Sequence, residues 1–217
     1  MLRGRNPANF LSDDCWMNSD FEIKLQRCCD IQNRRGHASL FARETSEDKQ
    51  IVELATAREW AESAGAKYGI VVSGIVSNSN SNVAPDCFAQ LNGGQIGIEL
   101  TELVDPELLR CVAAERKSDR VFSAYHGIGF QQAQWDQTRF CHALNEILAK
   151  KDKKYEGQSF RADVLIVHTD EPWLSPHDVE RWHAQNTFEH RPSLKTVYFL
   201  MTYVPGYSLH WPVFQVY

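Results

Sequence analysis

The feature that most constrains this chain is a short break, Asn92-Gly93-Gly94, set between two alternating segments, Asp86 to Leu91 and Gln95 to Thr101. Asn-Gly favours the two-residue hairpin turn whose twist matches that of paired strands, because both central residues take positive φ. With Asn92 and Gly93 in the turn, Leu91 faces Gly94 and Asp86 lands across from Glu99. Successive strand side chains alternate, so Asp86, Phe88, Gln90, Gly97, Glu99 and Thr101 share one face. Cys87, Ala89, Leu91, Ile96, Ile98 and Leu100 form the other, apolar face. Moving the turn to Gly93-Gly94 keeps both faces and sets Asp86 across from Thr101 instead.

Two carboxylates opposed at ~5 Å repel by roughly 3 kcal/mol at an effective dielectric of about 20. A cation relieves that repulsion, and hard divalent ions such as Mg²⁺ take carboxylate oxygens, completing their shells with water and phosphate. The plainer alternative is two solvated acids on an exposed sheet face.

The flanking segments read as alternating helices and strands. Thr45 or Ser46 caps a helix with Glu47 and Asp48 in its first turn and an expected end near Gly65. Ile51, Leu54, Ala55 and Ala61 make its apolar stripe, with Glu53 and Glu59 at the flanks. The β-branched run from Tyr68 to Val76 is a strand, closed by the polar tract Ser77 to Asn82. Asp105-Pro106 opens a helix through Lys117, and a second helix spans about Gln131 to Lys153. Phe140, Leu144, Ile147 and Leu148 form the stripe of that second helix, and Lys151 falls at its centre. Ala162 to Val167 is a strand covered on both faces, and Ser175-Pro176 starts a further helix with Val179 and Trp182 inward. Thr196 to Tyr203 and Leu209 to Tyr217 are the last strands, with Pro212 marking an edge. The expected fold is therefore α/β with a mixed central sheet flanked by helices. Residues 1–43 form an N-terminal arm and 44–217 a single domain.

With 217 residues, 43% hydrophobic and 24% charged, disordered and fibrous classes are excluded. No stretch of about 18 apolar residues occurs, so neither a signal peptide nor a membrane span is expected. Six cysteines scattered without a Cys-x-x-Cys pair suit a reducing cytoplasm. The net charge of −5 repels a nucleic-acid backbone as a whole, so such a partner needs local basic patches. His177, His183 and His190 lack metal-ligand spacing, Gly127-Ile-Gly129 lacks the rest of a dinucleotide fingerprint, and Cys141-His142 point different ways on a helix.

The order helix, strand, Pro85-Asp86 strand, Ile98-Glu99-Leu100-Thr101 strand, helical region, strand resembles the PD-(D/E)xK nuclease superfamily. This restriction-endonuclease-like core (αβββαβ) covers about residues 45–170, in a form similar to bacterial and prophage-borne branches. The resemblance implies a hydrolase that cleaves phosphodiester bonds of nucleic acid, DNA in the first place, with Mg²⁺ or Mn²⁺ held by Asp86, Glu99 and the Leu100 carbonyl. It further implies a helper acid on the first helix, for which Glu53 is the candidate. The family's lysine, two residues after the glutamate, is Thr101 here, and threonine supplies no ammonium. Some branches take that lysine from a neighbouring helix, which points to Lys151, with Lys117 second. Lys150, Lys151, Lys153 and Lys154 also read as a solvated basic run complementing a helix C-terminus. A catalytically inactive member of the fold is the alternative function. It would serve as a nucleic-acid-binding or protein-interaction module, in a phage or mobile-element setting.

Overall fold

A computed structural model describes residues 46–80, 83–105, 134–157, 162–171, 173–202, 204 and 210–217. The expected N-terminal arm, the Thr45 cap, the helix after Pro106, Lys117 and the Gly127-Gly129 turn lie outside these residues. In chain order the described elements are α1 (Ser46–Tyr68), β1 (Val72–Ser77), β2 (Cys87–Leu91), β3 (Gly94–Glu102) and α2 (Gln137–Tyr155). They continue with β4 (Val164–Thr169), α3 (Pro176–Gln185), β5 (Val197–Met201) and β6 (Val213–Gln215).

The strands form one mixed sheet in the order β1-β2-β3-β4-β5-β6. β2 runs antiparallel to β1 and β3, β3, β4 and β5 are mutually parallel, and β6 runs antiparallel to β5. The hairpin register has Leu91 opposite Gly94 and Cys87 opposite Ile98. Asn92 and Gly93 adopt φ values of 50° and 84°, as a two-residue turn of this hand requires. A Cβ at Gly93 meets nothing within 4 Å, so Gly93→Ala isolates the backbone term. It is expected to cost about 1–2 kcal/mol in urea unfolding. An unchanged midpoint would show that the turn does not limit stability.

Alternation along the central strands gives the sheet two covered faces. Ile96, Ile98 and Leu100 of β3, with Cys87, Ala89, Val164, Ile166, Tyr198 and Leu200, pack against Ala57, Trp60 and Ala64 of α1. Leu165, Val167, Val197, Phe199 and Met201 pack on the opposite side against α2 and α3 through Phe140, Leu144, Leu148, Val179 and Trp182. Trp60 lies 5.3 Å from Tyr198 between ring centroids, and Phe140 meets Phe199 edge-on at 5.2 Å. β4 is buried on both faces, as a parallel strand with helices on either side must be. β6 closes one edge of the sheet, immediately after Pro212.

One helix stripe differs from expectation. Val52, Glu53, Thr56, Ala57, Trp60, Ser63 and Ala64 form the buried face of α1, while Ile51, Leu54, Ala55 and Ala61 are only half-buried. Alanine and serine let the helix approach the sheet closely around the single large Trp60, so side-chain size outweighs residue hydrophobicity there. As a consequence Glu53 is carried inward rather than along a flank. The helix also continues through Tyr68, three residues past Gly65, before Gly69 turns with φ 70°.

Candidate functional site

A cleft of about 300 Å³ opens at the hairpin where α1 and α2 approach β3. Lys49, Glu53, Asp86, Glu99, Leu100, Thr101, Lys151, Lys154 and His168 line it, with Val52 and Glu102. All of the candidate residues Asp86, Glu99, Lys151, Thr101, Glu53 and Leu100 thus border one space. They come from two helices and two consecutive strand regions, far apart in the chain.

Glu99 is 2% exposed and belongs to the β3 face opposite Ile98 and Leu100, so its side chain meets α2. Lys151 Nζ donates to Glu99 Oε1 at 3.0 Å and to the Leu100 carbonyl at 3.1 Å. Lys154 Nζ reaches the same carboxylate oxygen at 3.2 Å. Lys151 occupies the helix stripe continued by Leu148 and Tyr155, which is why it points at the sheet. Its side chain is 16% exposed against 55% for Lys154. The expected solvated run is therefore divided: Lys150 stays at the surface, while Lys151 and Lys154 converge on one acid.

Burial by itself raises the Glu99 carboxyl, but Lys151, the nearby Tyr155 hydroxyl and Lys154 outweigh it and leave the group below its usual range. Glu99 is accordingly a carboxylate at neutral pH. Its second oxygen, Oε2, is buried and, among the described residues, receives no hydrogen bond of ordinary geometry.

Asp86 is placed differently from the direct opposition expected in the hairpin. It stands at a bend just before β2, outside the ladder, and its Oδ2 accepts the Leu100 amide proton at 2.8 Å. Leaving the ladder frees its side chain from strict alternation, so it reaches α1 rather than α2. Lys49 Nζ lies 3.8 Å from Asp86 Oδ1 and 3.2 Å from Glu53 Oε1. Asp86 and Glu99 therefore enter the cleft from the sides of different helices, each with lysine beside it.

Glu53 is pushed up to about 7, first by burial and then by the neighbouring Asp86 charge, with Lys49 opposing both. A carboxyl with that value exchanges a proton near neutrality. Cys87, under the cleft, has its thiol pushed up to about 12 by burial and by Glu53 and Asp86, which makes it an unreactive core residue.

The donors Asp86, Glu99, Glu53 and the Leu100 carbonyl are all hard oxygens, the set that suits Mg²⁺ or Mn²⁺. Among the described residues no three His, Cys, Asp or Glu side chains are grouped closely enough to enclose a metal ion by themselves. Two carboxylates and a carbonyl, supplemented by water and phosphate, are the kinds of donor that Mg²⁺ takes.

Lys49, Tyr155 and His168 were not singled out from the sequence, and Lys154 was read there only as part of a solvated basic run. Lys49 carries a signal in retrospect, because it precedes Glu53 by four residues and so shares its helix face. Nothing local marks His168, which β4 delivers beside Glu102 through parallel pairing with β3.

A second buried polar group lies beyond the C-terminal ends of β3 and β4. Asp105 pairs with Arg139 of α2, and Glu171 accepts from the Asp105 amide at 2.7 Å and from Trp135 Nε1 at 3.2 Å. These contacts tie the start of α2 to the strand ends. Elsewhere, His183 bonds the Gln215 carbonyl at 2.9 Å, and His177 and His190 are exposed.

Among the described residues no helix is long and apolar enough to cross a membrane. Compared with protein-family models, curated proteins and solved structures, the chain finds no match.

Proposed function

We propose that the cleft is the active site of a metal-dependent nuclease of restriction-endonuclease-like fold, hydrolysing phosphodiester bonds. The observation that carries this reading is the ammonium of Lys151, brought by α2 onto Glu99 and the Leu100 carbonyl. It supplies the cation that Thr101 cannot. Further support comes from the order of the core elements, α1, β1, β2, β3, α2, β4, and from the parallel pairing of β3 with β4. Both agree with the αβββαβ arrangement that the sequence resemblance implies.

In this mechanism Asp86, Glu99 and the Leu100 carbonyl would hold Mg²⁺ or Mn²⁺, which when bound would supply Lewis-acid polarisation of the phosphate and activation of water. Glu53 accepts a proton from the attacking water, its carboxyl being poised near neutral pH. Lys151 stabilises the charge that grows on the phosphoryl oxygens. Lys49 and Lys154 line the cleft and draw the phosphodiester in, a local basic lining on a chain of net charge −5.

The alternative, an inactive nucleic-acid-binding or protein-interaction module, is favoured by Thr101 and by the neutralisation of Glu99 by two lysines. One experiment separates the two. Plasmid, linear duplex and single-stranded substrates are incubated with the protein, with Mg²⁺, Mn²⁺ or chelator, beside Asp86→Ala. Cleavage that needs the metal and disappears in the variant is the expected result. Binding without cutting selects the module, and neither cutting nor metal uptake in calorimetry ends the nuclease reading.

A further inference from the structure

Lys151 touches the two oxygens, Glu99 Oε1 and the Leu100 carbonyl, that the proposed function assigns to the divalent ion. A divalent ion on the same two oxygens would compete with the ammonium for their lone pairs and be repelled by its charge. Lys154 shares only Glu99 Oε1 and is much more exposed.

We infer that Lys151 is an internal counter-ion on the metal site, holding Glu99 and the Leu100 carbonyl until a divalent cation displaces it. The inference rests on the metal-dependent reading and deepens it. Geometry supports it in three ways. Lys151 makes two hydrogen bonds, one to a charged and one to a neutral oxygen, so it copies a chelating pair of ligands rather than a simple surface ion pair. Its side chain is 16% exposed, so few waters compete for it. The cleft beside it is open, and a lysine stem can swing its head about a fixed helical Cα without moving α2. Displacement also delivers the ammonium to the phosphate side of the cleft. Metal uptake and the placing of the cationic group then become one event, and metal-free protein holds its lysine away from substrate.

The test is calorimetric titration with Mn²⁺ on the full chain, comparing wild type with Lys151→Met, Lys151→Gln and Lys154→Met. Lys151→Met keeps the stem and removes the charge, so Mn²⁺ is expected to bind at least tenfold tighter. Lys151→Gln should shift in the same direction, and Lys154→Met should change affinity less than Lys151→Met. In unmutated protein, acylation of Lys151 by an amine reagent, read by mass spectrometry, should rise several-fold on adding Mg²⁺. Unchanged or weaker Mn²⁺ affinity in both Lys151 variants, with wild type still binding, overturns this inference and leaves the nuclease reading standing. Acylation that does not respond to Mg²⁺ in metal-binding protein also overturns it. Failure of every protein to bind Mn²⁺ removes the metal site itself, and this inference with it.

Discussion

Glu99→Ala is expected to destabilise the protein by about 3–5 kcal/mol, the usual effect of deleting one partner of a buried ion pair. The loss should appear as a lower midpoint in urea unfolding at pH 7 in the presence of chelator. Glu99 is almost fully buried and balances Lys151, whose head is then left, among the described residues, with the neutral Leu100 carbonyl. Lys154 is exposed enough to turn into water and should contribute little to the loss. Replacing both partners by apolar residues, Glu99→Met with Lys151→Met, removes the unpaired charge and should recover most of the stability. The coupling between the two positions is then about 2–3 kcal/mol. If Glu99→Ala lowers stability by less than about 1 kcal/mol, Lys151 reaches solvent freely and the pair is a surface one. Recovery in the double variant would also separate the two roles of these residues. Their retention would not be needed for folding, which is consistent with a site kept for chemistry.

Glu53→Gln is expected to do the reverse, raising stability at pH 8 by about 2 kcal/mol and having little effect at pH 4. The sign follows from the direction of the shift. The folded carboxyl, pushed up to about 7, holds its proton more tightly than the ordinary value of 4.5 allows in the unfolded chain. Folding is therefore helped most when both states are protonated, and the native state loses stability as pH rises from about 4.5 to about 7. Above that window the cost is complete. It corresponds to roughly 3 kcal/mol for a shift of this size, less whatever the structure relaxes. Glutamine keeps the hydrogen-bonding shape without the charge, so thermal unfolding at a series of pH values should lose this slope. Glu99 acts in the opposite sense and at lower pH. Its folded carboxyl ionises more readily than the unfolded one, so its contribution is present above 4.5 and is lost as pH falls below that value. A Glu53→Gln protein with the wild-type pH profile would show that Glu53 is solvated and ionised in the native state.

The destabilising acid and the stabilising acid border the same cleft, and their difference follows from their partners. Glu99 has two ammonium groups on one oxygen, whereas Glu53 shares Lys49 with Asp86. Burying a second carboxyl beside Asp86 lowers stability, a feature more common at sites of chemistry than in ordinary packing.

Much of this arrangement is legible in the order of residues because two periodicities act over short distances. Asn92-Gly93 commits the hairpin to a two-residue turn, and a strand period of two then carries the register from Leu91 and Gly94 to Cys87 and Ile98. The helical period likewise puts Lys151 in line with Phe140, Leu144 and Leu148, so a charge among apolar positions announces an inward lysine. Other features depend on contacts that no local pattern encodes. The bend at Asp86 takes it out of the ladder and toward α1, and the small residues around Trp60 turn Glu53 inward. Parallel pairing of β3 with β4 settles which helix covers Glu99, and so which lysines reach it. Turn and stripe are decided between neighbours a few residues apart, whereas the charge environment of each acid is set by elements separated by about 50 residues that meet only when the sheet is complete.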